Sequence, residues 1–316
     1  MEGGNVAEDS LSAVTIPSLS LLTTHYRPAQ RSFTTTHATS AATALASRLA
    51  VQVMEAYPGL WPETVRGLIV HSAEWTDAMK DAYLPSANPA KGEYRKLLRR
   101  CGFGVPDLGR ALWSVAHSLT MVVEETLVPF KRGASGNVVT RDMQIHNLPW
   151  PQDSLEELGN TPVEMRVTLS YFIEPNPSRR GVGSRYRYES HGLRFDVKRP
   201  LESISAFRGR ISATARDDQY PSSAGGSDPA WLIGTQNRHR GSLHGDIWQG
   251  TAADLASRGA IAVYPTSGWW KTRPALKHYD RAVRYALVVS IRAPEVDVDL
   301  YAEVANRIDV GVPVEI

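Results

Sequence analysis

Thr35-Thr36-His37-Ala38-Thr39-Ser40-Ala41-Ala42-Thr43-Ala44-Leu45-Ala46 crowds hydroxyls and small side chains into a loop and then turns into a helix. Apolar residues at Ala42, Leu45, Ala46, Leu49, Ala50 and Val53 keep the i, i+3, i+4, i+7 spacing of a helix with one buried face. That helix is predicted to begin at or just after Ser40. A serine at a helix start has two uses. Its oxygen can cap the first turn by accepting a backbone hydrogen bond. It can also act as a nucleophile, because free N–H groups and the positive end of the helix dipole stabilise negative charge on a nearby oxygen. The local pattern alone leaves both uses open.

Two further segments follow in order. The first is Tyr57-Pro58-Gly59-Leu60-Trp61-Pro62-Glu63-Thr64-Val65-Arg66-Gly67-Leu68-Ile69-Val70-His71-Ser72-Ala73. Pro62 suits a first helical position, Glu63 suits the positive helix end, and Val65, Leu68, Ile69 and Ser72 make an inward face. The second segment is Gly102-Phe103-Gly104-Val105-Pro106-Asp107-Leu108. Together the three segments resemble the subtilisin-like serine peptidases, the subtilase family. In that family Gly-Thr-Ser-x-Ala opens a buried helix with the nucleophile, where this chain has Ala38-Thr39-Ser40-Ala41-Ala42. A Tyr-Pro, a proline-opened helix, an apolar run ending in Ser-Ala and a Gly-Tyr-Gly segment come next.

The resemblance implies an α/β fold, the incomplete C-terminal part of a subtilisin-like domain, over residues 1–117. It implies that Ser40 is the catalytic serine of an endopeptidase acting on protein or peptide substrates through an acyl-enzyme, its own N–H donating to the oxyanion. Ala38 departs from the family glycine, and its methyl group restricts φ where substrate approaches. Gly3-Gly4-Asn5 looks like the Pro-Gly segment shortly before the serine. The family's aspartate, histidine and oxyanion asparagine would then lie outside this chain, in a missing N-terminal catalytic half, and the chain alone is expected to be nearly inactive. Some bacterial subtilases of this look are encoded beside AAA-type ATPases and linked to phage defence, which implies such an ATPase as a partner. The contrasting expectation is a non-catalytic binding or scaffold module that keeps the serine helix as structure.

A triad built from local residues would need a base and an orienting carboxylate around Ser40. His25, His37 and His71 are the nearest bases, with Asp9 or Asp77 as orienters. His71 falls in the apolar run Leu68 to Ala73, where a packed, hydrogen-bonded core histidine is the better expectation.

Composition sets the outer limits. The chain has 316 residues, 42% hydrophobic and 22% charged, in the range of a globular protein with a proper core. A net charge of +2 gives no electrostatic case for nucleic acid or an acidic membrane. The single cysteine, Cys101, excludes an internal disulfide framework. No run approaches the roughly 18 apolar residues of a membrane span, and Met1-Glu2-Gly3-Gly4-Asn5 has no secretory character, so a cytoplasmic protein is expected.

From residue 118 to 316 the period changes. Short β-branched and aromatic runs separated by turns predict strands at 119–130, 137–147, 163–173, 191–197, 231–235, 240–248, 260–265 and 285–292. They predict a mainly antiparallel β-sandwich or jelly-roll-like domain after the peptidase part. An earlier strand is expected between Ala13 and Leu22, and a surface connection from Trp75 to Pro89. Basic stretches at Tyr94–Arg100 and Arg179–Tyr188 are expected to be a solvated helix face and a loop. His239, His244 and Asp246 fit no metal-ligand spacing, and neither metal nor cofactor is expected.

Overall fold

The helical spacing after Thr36 becomes α1 (Thr39–Ala56) in the computed structural model, which describes residues 4–6, 13–15, 20–36, 39–116, 120–177, 188–216, 228–292 and 312–315. The chain divides into two compact units, residues 1–60 and 61–316. In the first unit β1 (Gly4–Val6) pairs antiparallel with β2 (Ala13–Thr15), and β3 (Leu21–Thr24) pairs with β4 (Phe33–Thr36). The stretch Ala13 to Leu22, expected as one strand, holds β2 and the start of β3, which pair in different sheets, and residues 16–19 lie outside the described residues.

The second unit opens with α2 (Pro62–His71), α3 (Asp77–Tyr83), α4 (Lys91–Cys101) and α5 (Leu108–Ala116). Pro62 occupies the first turn of α2, and Glu124 caps it from a distant strand, accepting from Trp61 N at 2.6 Å and from Thr64 Oγ1. Helix α3 corrects the expectation of a plain connection between Trp75 and Pro89. The Thr76 side chain accepts from Met79 N at 3.3 Å, which caps a short helix there. On α4 only Tyr94 and Leu97 are buried, so its basic residues sit on the outer face.

Beyond the helices come β5 (Thr120–Leu127), β6 (Phe130–Arg132), β7 (Val138–Thr140), β8 (Asp142–Asn147), α6 (Gln152–Glu157), β9 (Pro162–Tyr171), β10 (Gly192–Val197) and α7 (Ile204–Arg216). The order continues with α8 (Thr235–Arg238), β11 (Leu243–Thr251), α9 (Ala252–Ala256), β12 (Ala260–Thr266), α10 (Trp269–Thr272), β13 (Val283–Arg292) and β14 (Val312–Glu315). One four-stranded sheet has the order β11-β9-β13-β5, the other β10-β12-β8-β14, and every pairing is antiparallel. The unit is thus mixed α/β with antiparallel sheets, and no closed barrel forms among the described residues.

Alternation explains how the two sheets share one interior. Val163, Met165, Val167, Leu169 and Tyr171 of β9 join Tyr285, Leu287 and Val289 of β13 in an apolar core that also holds Leu193, Phe195 and Val197 of β10 and Ile261 and Val263 of β12. Each of these side chains stabilises the fold by about 1.5–3 kcal/mol through burial. The other face of the second sheet, with Met143, Ile145, Ala262 and Tyr264, packs under Phe207, Ile211 and Ala215 of α7. The other face of the first sheet carries α2, with Gly67 over Ser170 and Val288.

The strand expected at 231–235 does not form. Trp231 makes one isolated bridge to Trp248, and Gly234, at φ +77°, turns the chain into α8. Asp246 takes the amides that a strand would have paired, Ile233 N and Gly234 N, both at 2.9 Å. Arg238 meets the same carboxylate at 3.2 Å and also donates to the Phe195 carbonyl of the second sheet, so it ties both sheets together.

The Gly102-Phe103-Gly104 segment has a physical cause at each position. Gly102 ends α4 at φ +57° with open space around it. The Phe103 ring covers Gly245 of β11, where any side chain would collide with it. Gly104, at φ +99°, lies against the Glu74 carbonyl, and Glu74 and Val105 exchange hydrogen bonds of 3.0 and 2.8 Å. Gly104→Ala should destabilise residues 61–316 by about 3 kcal/mol or more, and Gly102→Ala by about 1–2 kcal/mol, measured by urea unfolding.

Several buried histidines make this unit acid-sensitive. Burial lowers His146 and His244 to pKa values of about 4 and His191 to about 3. The unfolded chain binds protons near pH 6.5 where the folded one does not, so this stability is complete above that pH and is lost as pH falls toward 4. At pH 5 each imidazole should contribute a loss of roughly 2 kcal/mol relative to pH 7.5. Urea titrations at the two pH values should show the drop, and His146→Gln should show one smaller by about one imidazole's share.

Candidate active site

Ser40 stands second in α1 and is solvent-exposed. The first four N–H groups of a helix have no intrahelical partner, so the Ser40 oxygen and its own N–H lie together at a donor-rich end. Further along the helix the hydroxyls turn inward on the backbone. Thr43 Oγ1 donates to the Thr39 carbonyl and Ser47 Oγ to the Thr43 carbonyl, each at 2.9 Å. Neither bond involves Ser40.

The surrounding helix has an unusual balance. Eleven of its eighteen residues are Ala, Leu, Val or Met, yet Val53 alone among them is buried. The stripe Ala42, Leu45, Leu49 and Ala50 is half-buried, while Val51 and Met54 are 61% and 50% exposed. A helix apolar on nearly every side ordinarily belongs in a core.

The bases considered for a local triad are otherwise engaged or lie outside the description. His25 Nδ1 accepts from Arg27 N at 3.1 Å. His37, Ala38 and Asp9 fall outside the described residues. Asp77 sits in the first turn of α3, pairs with Lys80 at 3.5 Å and is almost fully exposed. His71 is buried at the end of α2, with Nδ1 3.0 Å from Thr168 Oγ1 and Nε2 2.8 Å from Ser290 Oγ. Burial, reinforced by the Arg166 charge, holds its pKa well below the usual imidazole range, so it is a neutral, fully hydrogen-bonded core residue.

The remaining sequence candidates are also accounted for by the fold. Asp246 is occupied by Arg238 and by backbone amides, and His244 Nε2 lies 3.0 Å from the Gly241 carbonyl. No group of three or more His, Cys, Asp or Glu among the described residues is arranged to hold a metal. Most of the Arg179–Tyr188 stretch lies outside the described residues, as does most of the polar run from Asp217 to Pro229. One charged cleft was invisible in sequence because its residues, Glu74, Arg110, Glu164, Arg166 and Arg292, come from four separate segments.

Comparison with known proteins finds a family match in this part of the chain. The family model described as the subtilase family matches residues 1–104, which include α1, α2 and the Gly102–Gly104 segment. An uncharacterized protein of Sinorhizobium fredii (strain NBRC 101917 / NGR234), y4bN, is 28% identical over 201 residues, covering 60% of this chain and 42% of the relative. The chain therefore spans well under half of that relative's length. Residues 1–104, with Ser40 near the head of their longest helix, are the part of the chain that is similar to the subtilase family.

Proposed function

We propose that the chain is the serine-bearing C-terminal part of a subtilisin-like serine endopeptidase. Residues 1–117 would belong to the peptidase domain, and residues 118–316 would be an attached β-sandwich or jelly-roll-like module. The observation that carries this reading is α1. It begins with Ser40, lies inside the subtilase-family match, and is built like a core helix while only Val53 is buried. An apolar helix left this open is what a domain presents when its remaining layers come from other residues.

In the assembled domain a histidine would take the Ser40 Oγ proton as the oxygen attacks the scissile carbonyl. An aspartate would hold that histidine. The oxyanion would accept from the Ser40 N–H at the helix start, the amine would leave with the proton, and water would release the acyl group. Its substrates would be proteins or peptides. The base, its orienting carboxylate and the further oxyanion donor would come from residues outside this chain. Partnership with an AAA-type ATPase rests on family resemblance alone.

Complementation tests the proposal. The chain is mixed with the remainder of a subtilisin-like domain, supplied as a separate polypeptide, and assayed for casein hydrolysis and for fluorophosphonate labelling of Ser40. Hydrolysis should rise about 100-fold or more over the chain alone, vanish in Ser40→Ala, and coincide with slowed amide exchange along α1. Robust hydrolysis by the chain alone, abolished by Ser40→Ala, would overturn the dependence on a missing half. A stable complex with α1 protected but Ser40 unlabelled would favour the scaffold reading.

A further inference from the structure

At the C-terminal end of α2, where β9 and β13 run out from under the helix, lies a cleft of about 340 Å³. Its walls carry three guanidiniums, from Arg110, Arg166 and Arg292, and two carboxylates, from Glu74 and Glu164. Glu74 is held between two of the arginines, 3.5 Å from Arg110 Nη1 and 3.3 Å from Arg292 Nη1. Glu164 accepts from Gln249 at 3.2 Å. His71 adds no charge, because burial keeps it neutral. Among the described residues three positive groups stand against two negative ones, an excess of one positive charge.

Arg166 is where that excess is least compensated. Its Nη1 donates to the His71 carbonyl at 3.0 Å and to the Ala73 carbonyl, closing the end of α2. Its Nε and Nη2 make no hydrogen bond or ion pair among the described residues, although the side chain lines the cleft. Those two N–H groups form the side edge of the guanidinium fork, whose parallel donors match the two oxygens of one carboxylate. Desolvation is the main influence on this group and opposes its charge, so an anion in the cleft would relieve it.

We propose that the cleft binds a single carboxylate, gripped side-on by Nε and Nη2 of Arg166 with Arg292 as the second cation. One negative charge neutralises the site. Glu74 and Glu164 repel a polyanion, which excludes di- and triphosphates as ligands. Trp113, 58% exposed on the cleft wall, offers an apolar surface for the stem that bears the carboxylate. The chemistry suits either a free small carboxylic acid or the C-terminal carboxylate of a polypeptide. The site uses neither Ser40 nor any other group of the proposed peptidase chemistry, although His71, Glu74, Arg110 and Trp113 belong to residues 1–117.

Calorimetric titration of the full chain distinguishes these sources. The probes are N-acetylglycine, the peptide acetyl-Gly-Gly-Ala-Leu with a free C-terminus, the same peptide as its C-terminal amide, and inorganic pyrophosphate. At least one carboxylate should bind saturably, and the amide about tenfold or more weaker than the acid. Tighter binding of the peptide acid than of N-acetylglycine assigns the site to polypeptide ends, and equal binding assigns it to small acids. Arg166→Lys keeps the charge but removes the side edge, and should weaken binding about tenfold with the fold intact by circular dichroism. Arg292→Gln should weaken it several-fold, and still tests the site if Arg166→Lys does not fold. The proposal is overturned if no carboxylate binds, if amide and acid bind equally, if a folded Arg166→Lys chain binds like the parent, or if pyrophosphate binds more tightly than either acid.

Discussion

Helix α2 is docked on its sheet by hydrogen bonds as much as by apolar contact, and most of the second unit depends on that docking. Arg66 donates to Ser170 Oγ at 3.0 Å and to the carbonyls of Tyr171 and Ser242 at 2.6 and 2.7 Å. One helical turn on, His71 lies against Thr168 of β9 and Ser290 of β13, and Arg166 returns from the sheet to the last carbonyls of the helix. A net hydrogen bond is worth about 1 kcal/mol, but leaving a buried partner unpaired costs about 1–3 kcal/mol. Helix and sheet therefore specify each other. Residues 62–71 lie within the match to the subtilase family, while the surface that satisfies them lies between Thr168 and Ser290.

The same alternation along β9 separates two kinds of chemistry by a single residue step. Odd-numbered residues from Val163 to Tyr171 enter the apolar core, while Glu164, Arg166, Thr168 and Ser170 face α2 and the cleft. A rigid apolar layer thus stands directly behind the polar face. It holds Arg166 in place for a ligand on one side while excluding water on the other.

Local spacing carried much of the fold. The i, i+3, i+4 pattern placed α1 within a residue of its start, and Pro62 placed α2. Short β-branched and aromatic runs between turns located β9, β10, β11, β12 and β13 to within three residues, while the run at 119–130 holds β5 and the start of β6 and the run at 137–147 holds β7 and β8. What failed needed partners far away in sequence. The apparent strand at 231–235 was claimed by the Asp246 carboxylate, a tertiary bond that no local pattern announces. Helix α7 was overlooked although Phe207, Ile211 and Ala215 repeat every four residues, because the surrounding chain reads as β. Ser40 was singled out as the proposed nucleophile through its neighbours Thr39, Ala41 and Ala42 and the segments that follow. Arg166 was not, since a single arginine in a strand has no signature until the end of α2 and Arg292 are brought beside it.

The Arg238–Asp246 pair, both members almost wholly buried, also bears on how the strands find their places. Phe195 and Trp231 cover the guanidinium at 4.4 and 4.8 Å, so water cannot replace a lost partner. If β11 slipped by one residue against β9, Asp246 would turn to the opposite face and strand a bare cation among aromatic rings. Removing one partner of such a pair costs about 3–5 kcal/mol. The pair thus acts as a proofreader of strand alignment, admitting the correct pairing and penalising its nearest neighbours.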